Sequence, residues 1–149
     1  DVCYANAGVS GGWVPMQEQT PEHWAEILKI NLIGTFLAVK HAARVMTPRK
    51  RGSIICTASV AGLRSGAGGS PYSASKAGVV GLSKALALET AADNVLVNCI
   101  APGPIETPLV EGISESWKAA KRAASRTTRS WDDPRLSHDA GNRDRSNGH

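Results

Sequence analysis

The residues that most constrain this chain are Ser53-Ile54-Ile55-Cys56-Thr57-Ala58, a compact apolar run without polar alternation. A strand of this kind is covered on both faces, as the strands of parallel sheets are. Two other short runs read as strands, Asp1 to Ala5 and Val95 to Ile100. Between the first and second lies a long helical pattern. Thr20-Pro21-Glu22 starts it: Thr caps, Pro suits the first helical position and Glu faces the positive dipole end. Trp24, Ile27, Leu28, Ile30, Ile33, Phe36 and Leu37 then recur at helical spacing, to about Met46, before Thr47-Pro48 stops the helix. A second helix is predicted from about Pro71 to Ala91. The order strand, helix, strand, helix, strand predicts parallel pairing across helical crossovers. The fold class is α/β, a partial Rossmann-like doubly wound sheet of three strands and two main helices.

Charge divides the chain differently. Residues 1–116 hold nine Lys or Arg and nine Asp or Glu, whereas residues 117–149 hold eight basic and four acidic residues. The formal charge of +4 therefore belongs to the tail. Val110 to about Ala124 reads as one remnant helix. Ser125 to His149 has only Trp131, Leu136 and Ala140 as apolar residues, too few to offset the entropy of ordering. Two segments are expected, 1–112 as the folded part and 113–149 as a largely disordered basic tail. Its mixed charge and low aromatic content argue against a nucleic-acid partner. Cys3, Cys56 and Cys99 are odd in number, lack a Cys-x-x-Cys pair and sit in strand-like runs. They read as small buried hydrophobes in a reducing, cytoplasmic compartment, with no metal site. No apolar run is long enough to span a membrane.

The chemistry gathers at Tyr72-Ser73-Ala74-Ser75-Lys76. Residues four apart on a helix share a face, with roughly 5–6 Å between Cβ atoms. An isolated tyrosine is a poor base near neutral pH, and a fixed ammonium nearby favours the phenolate form. Ser59, thirteen residues before Tyr72, ends a strand and could meet the first turn of the next helix. Each element has an ordinary alternative. Ser59 could be a turn residue, Asn31 a core asparagine satisfied by backbone, and Asn6-Ala7-Gly8 a strand-ending turn.

Taken together, these residues resemble the short-chain dehydrogenase/reductase family. Asn6-Ala7-Gly8 is similar to the family's N-A-G motif, which supports the sheet beside the cofactor. Asn31 matches the helix asparagine, which in the family holds a water in a proton relay. Ser53 to Gly62, SIICTASVAG, resembles the catalytic-serine segment, with Ser59 as that serine. Tyr72 and Lys76, in YSASKAGVVGL, match the catalytic tyrosine and the lysine that also binds the nicotinamide ribose. Val97-Asn98-Cys99-Ile100-Ala101-Pro102-Gly103 followed by Thr107 resembles V-N-x-I-x-P-G-x-x-x-T. There Pro102, Gly103, Ile105 and Thr107 would contact the nicotinamide end. The resemblance implies hydride transfer between NAD or NADP and a carbonyl or secondary alcohol. In it Tyr72 is the acid/base, Ser59 polarises the substrate oxygen, Lys76 supports the tyrosine and Asn31 completes the relay. It covers about residues 1 to 112.

The family opens on a strand and a Gly-x-x-x-Gly-x-Gly loop that binds the pyrophosphate, and no such motif is read in this chain. Gly66-Ala67-Gly68-Gly69 lies instead beside the candidate site and reads as its wall, without a Gly-Lys-Ser/Thr to follow. The expectation is an incomplete chain, with Asp1 to Ala5 as an apolar edge and the adenosine half of the cofactor unsupported. The choice of NAD or NADP cannot be read from these residues. Trp13, Val14, Met16 and the Leu63-Arg64 region lean apolar, towards a hydrophobic alcohol or ketone. A homo-oligomer is expected through the two helices. The alternative is a non-catalytic chain that pairs with a complete homologue through the same helices.

Overall fold

A computed structural model describes residues 1–64 and 67–105. The expectations for residues 113–149, and for Thr107, lie outside the described residues. Three parallel strands, β1 (Val2–Ala5), β2 (Gly52–Thr57) and β3 (Val95–Ile100), form one sheet in the order β1-β2-β3. Val2 pairs with Ser53, and Ser53 with Leu96; Ala5 pairs with Cys56, and Cys56 with Cys99. The first crossover contains α1 (Pro21–Leu28), a π-helical segment at Lys29–Ile33 and α2 (Gly34–Met46). The second is α3 (Ser70–Thr90).

The start of α1 is as the sequence predicts: the Thr20 hydroxyl accepts from the His23 N–H at 3.2 Å. The uninterrupted α-helix expected to about Met46 is corrected, because one wider turn interrupts it. Ile27, Asn31, Thr35 and Val39, all buried, follow one another at steps of four residues. In a 3.6-residue helix each such step overshoots a turn by roughly 40°, so an α-helix would rotate the series off the core. A π turn, with more residues per turn, takes up part of that drift.

Both crossovers pack on one face of the sheet. Ala5, Val39, Met46, Ile54, Cys56, Ala58, Val79 and Val95 form its core. Burial pushes the Cys56 thiol above its ordinary range, and a hydrogen bond with Ser83 opposes that shift. Cys56 is therefore the inert apolar filler expected, but Cys99, at the far end of edge strand β3, is exposed. The opposite sheet face carries Val2, Tyr4, Leu96 and Ile100, all exposed. The cover on both faces that Ser53 to Ala58 implies is thus met on one face among the described residues. No helix among them is long and apolar enough to cross a membrane.

Close contact between the β2 exit and α3 depends on one glycine. A Cβ on Gly62 would lie 2.6 Å from the Lys76 carbonyl carbon and 2.7 Å from the Ala77 nitrogen, both rigid backbone. Gly81, on the same helix, has nothing within 4 Å of such a Cβ. Gly62→Ala is expected to lower unfolding stability by roughly 1–3 kcal/mol. Gly81→Ala is expected to raise it by about 0.5–1 kcal/mol. Urea unfolding of the two variants measures the contrast.

Candidate active site

Because the strands are parallel, their carboxyl ends share one edge, where ligands bind in open α/β sheets. Asn6-Ala7-Gly8 follows β1, Ser59 follows β2 and Pro102-Gly103 follows β3. Thr57 joins the first two exits to α3. Its hydroxyl donates to Asn6 Oδ1 at 3.0 Å, and its carbonyl accepts from Lys76 Nζ at 2.9 Å. Pairing of β2 with β3 continues past the strands. The Ala58 N–H donates to Ile100 O at 2.8 Å and the Val60 N–H to Pro102 O at 3.0 Å. Those bonds fix the Ser59 corner against the Pro102-Gly103 turn.

Lys76 is 4% exposed. Burial pushes its ammonium below the ordinary lysine range, and Cys99 acts weakly in the other direction. Its Nζ lies 5.7 Å from the Tyr72 ring centroid. The same nitrogen would be 3.3 Å from a Cβ on Gly8, so the turn after β1 passes directly over it. The half-buried Tyr72 ring is held from one side by Gly68, where a Cβ would fall 2.6 Å from Cδ1. The reading that the chain holds no Gly-x-x-x-Gly-x-Gly is corrected, because Gly62, Gly66 and Gly68 have that spacing. The two of them that are described serve close approach to α3, at Lys76 and at Tyr72. Of the segment read as the site's wall, Gly68 is the residue that lies against the Tyr72 ring among the described ones.

Ser59 caps the 3-10 turn Val60–Gly62 by accepting from the Ala61 N–H at 3.1 Å. A hydroxyl that accepts a backbone proton keeps its own hydrogen for another acceptor. Asn31 is fully buried. Its Oδ1 accepts from the Val9 N–H at 2.8 Å, and its Nδ2 donates to Val9 O at 2.9 Å and to Ser75 Oγ at 3.0 Å. Ser75 donates in turn to Tyr72 O at 2.7 Å. The amide is therefore engaged as a structural tie between the loop after β1 and the Tyr72 turn, the core-asparagine alternative that the sequence leaves open. Thr35 donates to the Asn31 carbonyl at 2.7 Å.

The edge thus brings together Asn6, Gly8, Ser59, Tyr72, Lys76, Pro102 and Gly103. Ala7 and Ile105 are exposed beside it. Thr57 and Ser75 are the residues that sequence reasoning missed. Ser75 was findable, since it sits one turn from Tyr72 on the face that carries Lys76; Thr57 had no signal beyond ending a strand. No group of three or more His, Cys, Asp or Glu that could hold a metal occurs among the described residues. An ammonium with spare donors beside a side-chain-free turn suits vicinal hydroxyls, and nothing lies within 4 Å of a Cβ on Gly103.

Residues 1–118 match the family model for short chain dehydrogenase. The chain is 46% identical over 110 residues to momilactone A synthase of Oryza sativa subsp. japonica, covering 73% of this chain and 40% of that protein. It is 43% identical over 113 residues to (+)-borneol dehydrogenase 1 of Salvia officinalis, covering 75% and 44%. The crystal structure of levodione reductase superposes with a TM-score of 0.76 at 33% identity, over 85% of this chain and 51% of that one. The chain thus spans about half the length, or less, of these relatives. Their names lend nothing to the alternative of a non-catalytic pairing chain.

Two outcomes follow from the buried amide and the buried ammonium. Asn31→Ala strands the Val9 N–H and carbonyl, and is expected to cost about 2–4 kcal/mol in urea unfolding. For Lys76 the folded pKa lies below the unfolded one, so folding releases its proton between the two. The burial penalty is fully present below the folded pKa and fades as pH rises through it towards the unfolded value. Wild type should therefore gain stability relative to Lys76→Met between pH ~7 and pH ~10, the ordinary lysine range being near ~10.4. Paired unfolding curves at the two pH values check the sign.

Proposed function

The chain belongs to the short-chain dehydrogenase/reductase family, and on that premise we propose that its protein is an oxidoreductase. The reaction is hydride exchange between NAD or NADP and a small-molecule ketone or secondary alcohol. The observation that carries this reading is the buried Lys76 ammonium one helical turn from Tyr72, at the carboxyl edge of the sheet. A nicotinamide cofactor, when bound, would supply or accept hydride at the substrate carbon. Lys76, Tyr72, the Asn6-Ala7-Gly8 turn and Pro102-Gly103, with Ile105 and Thr107 beyond, would hold its ribose and ring.

The chain's own residues manage the oxygen and its proton. Tyr72 gives its phenolic proton to the ketone oxygen in reduction and takes it back from the alcohol in oxidation. Ser59 donates its unshared hydroxyl hydrogen to the same oxygen, stabilising the charge that develops there. Lys76 places a positive charge where the phenolate forms. Asn31 contributes by fixing Val9 and Ser75, since its amide has no donor left for a side-chain relay. The exposed, apolar Met16 and Trp13 beside this edge favour an apolar substrate. Ile33, Phe36 and Leu37, exposed at helical spacing, suit pairing of two copies.

Tyr72→Phe removes the transferable proton while leaving the ring in its slot. In the active protein it is expected to lower kcat by about 10²–10⁴-fold, with a far smaller change in cofactor affinity. Steady-state kinetics on a ketone panel with both cofactors, alongside cofactor titration, provide the test. A loss smaller than about threefold would remove Tyr72 from the proton path.

A further inference from the structure

The loop between β1 and α1 is held at its first residues by Asn31 and at its end by Gln19. The roles of the Gln19 amide atoms are forced by their partners. The Trp24 indole can only donate, so Oε1 faces it at 2.8 Å. Nε2 is left to donate to Val14 O at 2.8 Å and to Ser70 Oγ at 3.1 Å. Those partners lie on three different parts of the fold: α1, the loop itself and the first residue of α3.

Asn31 makes a connection of the same form to Val9 and Ser75. Two side-chain amides thus bind the loop backbone to two serines that flank Tyr72 on α3. Between the anchors run Ser10 to Trp13, in which Gly11 and Gly12 both have φ 69°, a conformation that side chains resist. Gly11 O also bonds His23 Nε2 at 2.9 Å, and a Cβ on Gly11 would clash with Ile27 Cδ1. Gly12 O would lie 3.0 Å from a Cβ on Gly69, the residue just before α3. The loop is therefore seated on the approach to Tyr72.

Gln19 itself is only half-buried and lies outside the core. Asn31, Thr57 and Gly62 hold Tyr72 and Lys76 without it. We propose that Gln19 is a positioning residue that sets substrate affinity, by holding residues 9–19 against the first turn of α3 beside the proton-transfer pair. This rests on the oxidoreductase reading of the same edge. A residue acting in this way changes the binding of substrate and transition state alike, so it moves KM rather than kcat.

The test is Gln19→Ala in the full-length protein, followed by ketone kinetics and by hydrogen exchange of backbone amides. Exchange in residues 9–18 should quicken while β2 and α3 stay protected. KM should rise about five- to tenfold with kcat within about twofold of wild type. Ser70→Ala, which removes a single branch, should give a smaller rise, and the double variant should be no worse than Gln19→Ala alone. Unchanged loop exchange, exchange that quickens equally through α3, or kcat falling as far as kcat/KM would each overturn the proposal. A wild type that reduces no ketone with either cofactor overturns the oxidoreductase reading and the affinity role with it. Loop exchange in Gln19→Ala then shows separately whether the holding contact was also wrong.

Discussion

An ammonium buried at the end of a parallel strand organises this edge of the molecule. Removing a charge from water costs several kcal/mol unless hydrogen bonds replace hydration, and the Thr57 carbonyl supplies one such bond to Lys76 at 2.9 Å. The lysine reaches it beneath the turn after β1, at the point where Gly8 carries no side chain. Gly8 lies over the ammonium and Gly62 lies against the lysine's own backbone. The same Thr57 ties back to Asn6. The buried ammonium thus accounts for Gly8 in the turn after β1, and close packing of the helix backbone accounts for Gly62.

Tyr72 inherits its position from that arrangement. The helix that carries Lys76 is pressed onto the 3-10 turn capped by Ser59, and the corner is fastened to Pro102 by the continued pairing of β2 with β3. Asn31 sits behind the pair and bonds Ser75, which bonds the Tyr72 carbonyl. The π turn keeps Asn31 pointed into that position while the residues at four-step spacing on either side stay buried. Fold and site are coupled here: the residues that close the core are one step from those that face the edge.

Much of this was legible from the amino acids because it repeats. Apolar runs marked the strands, and the Thr20-Pro21 start and helical spacing marked the crossovers; β1, β2 and α3 begin within one residue of expectation. That Tyr72 and Lys76 share a helix face was readable from their spacing. What was not readable depends on single hydrogen bonds between distant segments. The Thr57 carbonyl, the Ser75 link and the three partners of Gln19 leave no periodic trace. The π turn was hidden because its apolar spacing also fits an ordinary helix. Cys99 looked buried by its run, yet its place at the end of an edge strand exposes it.

The most direct measurement is an NMR titration of the Lys76 side-chain amine in protein labelled with ¹⁵N-lysine, assigned by comparison with Lys76→Met. Burial of the ammonium predicts that Lys76 titrates below the ordinary lysine range. A Lys76 amine titrating at or above the ordinary ~10.4 would contradict a buried ammonium, and with it the arrangement built around Tyr72.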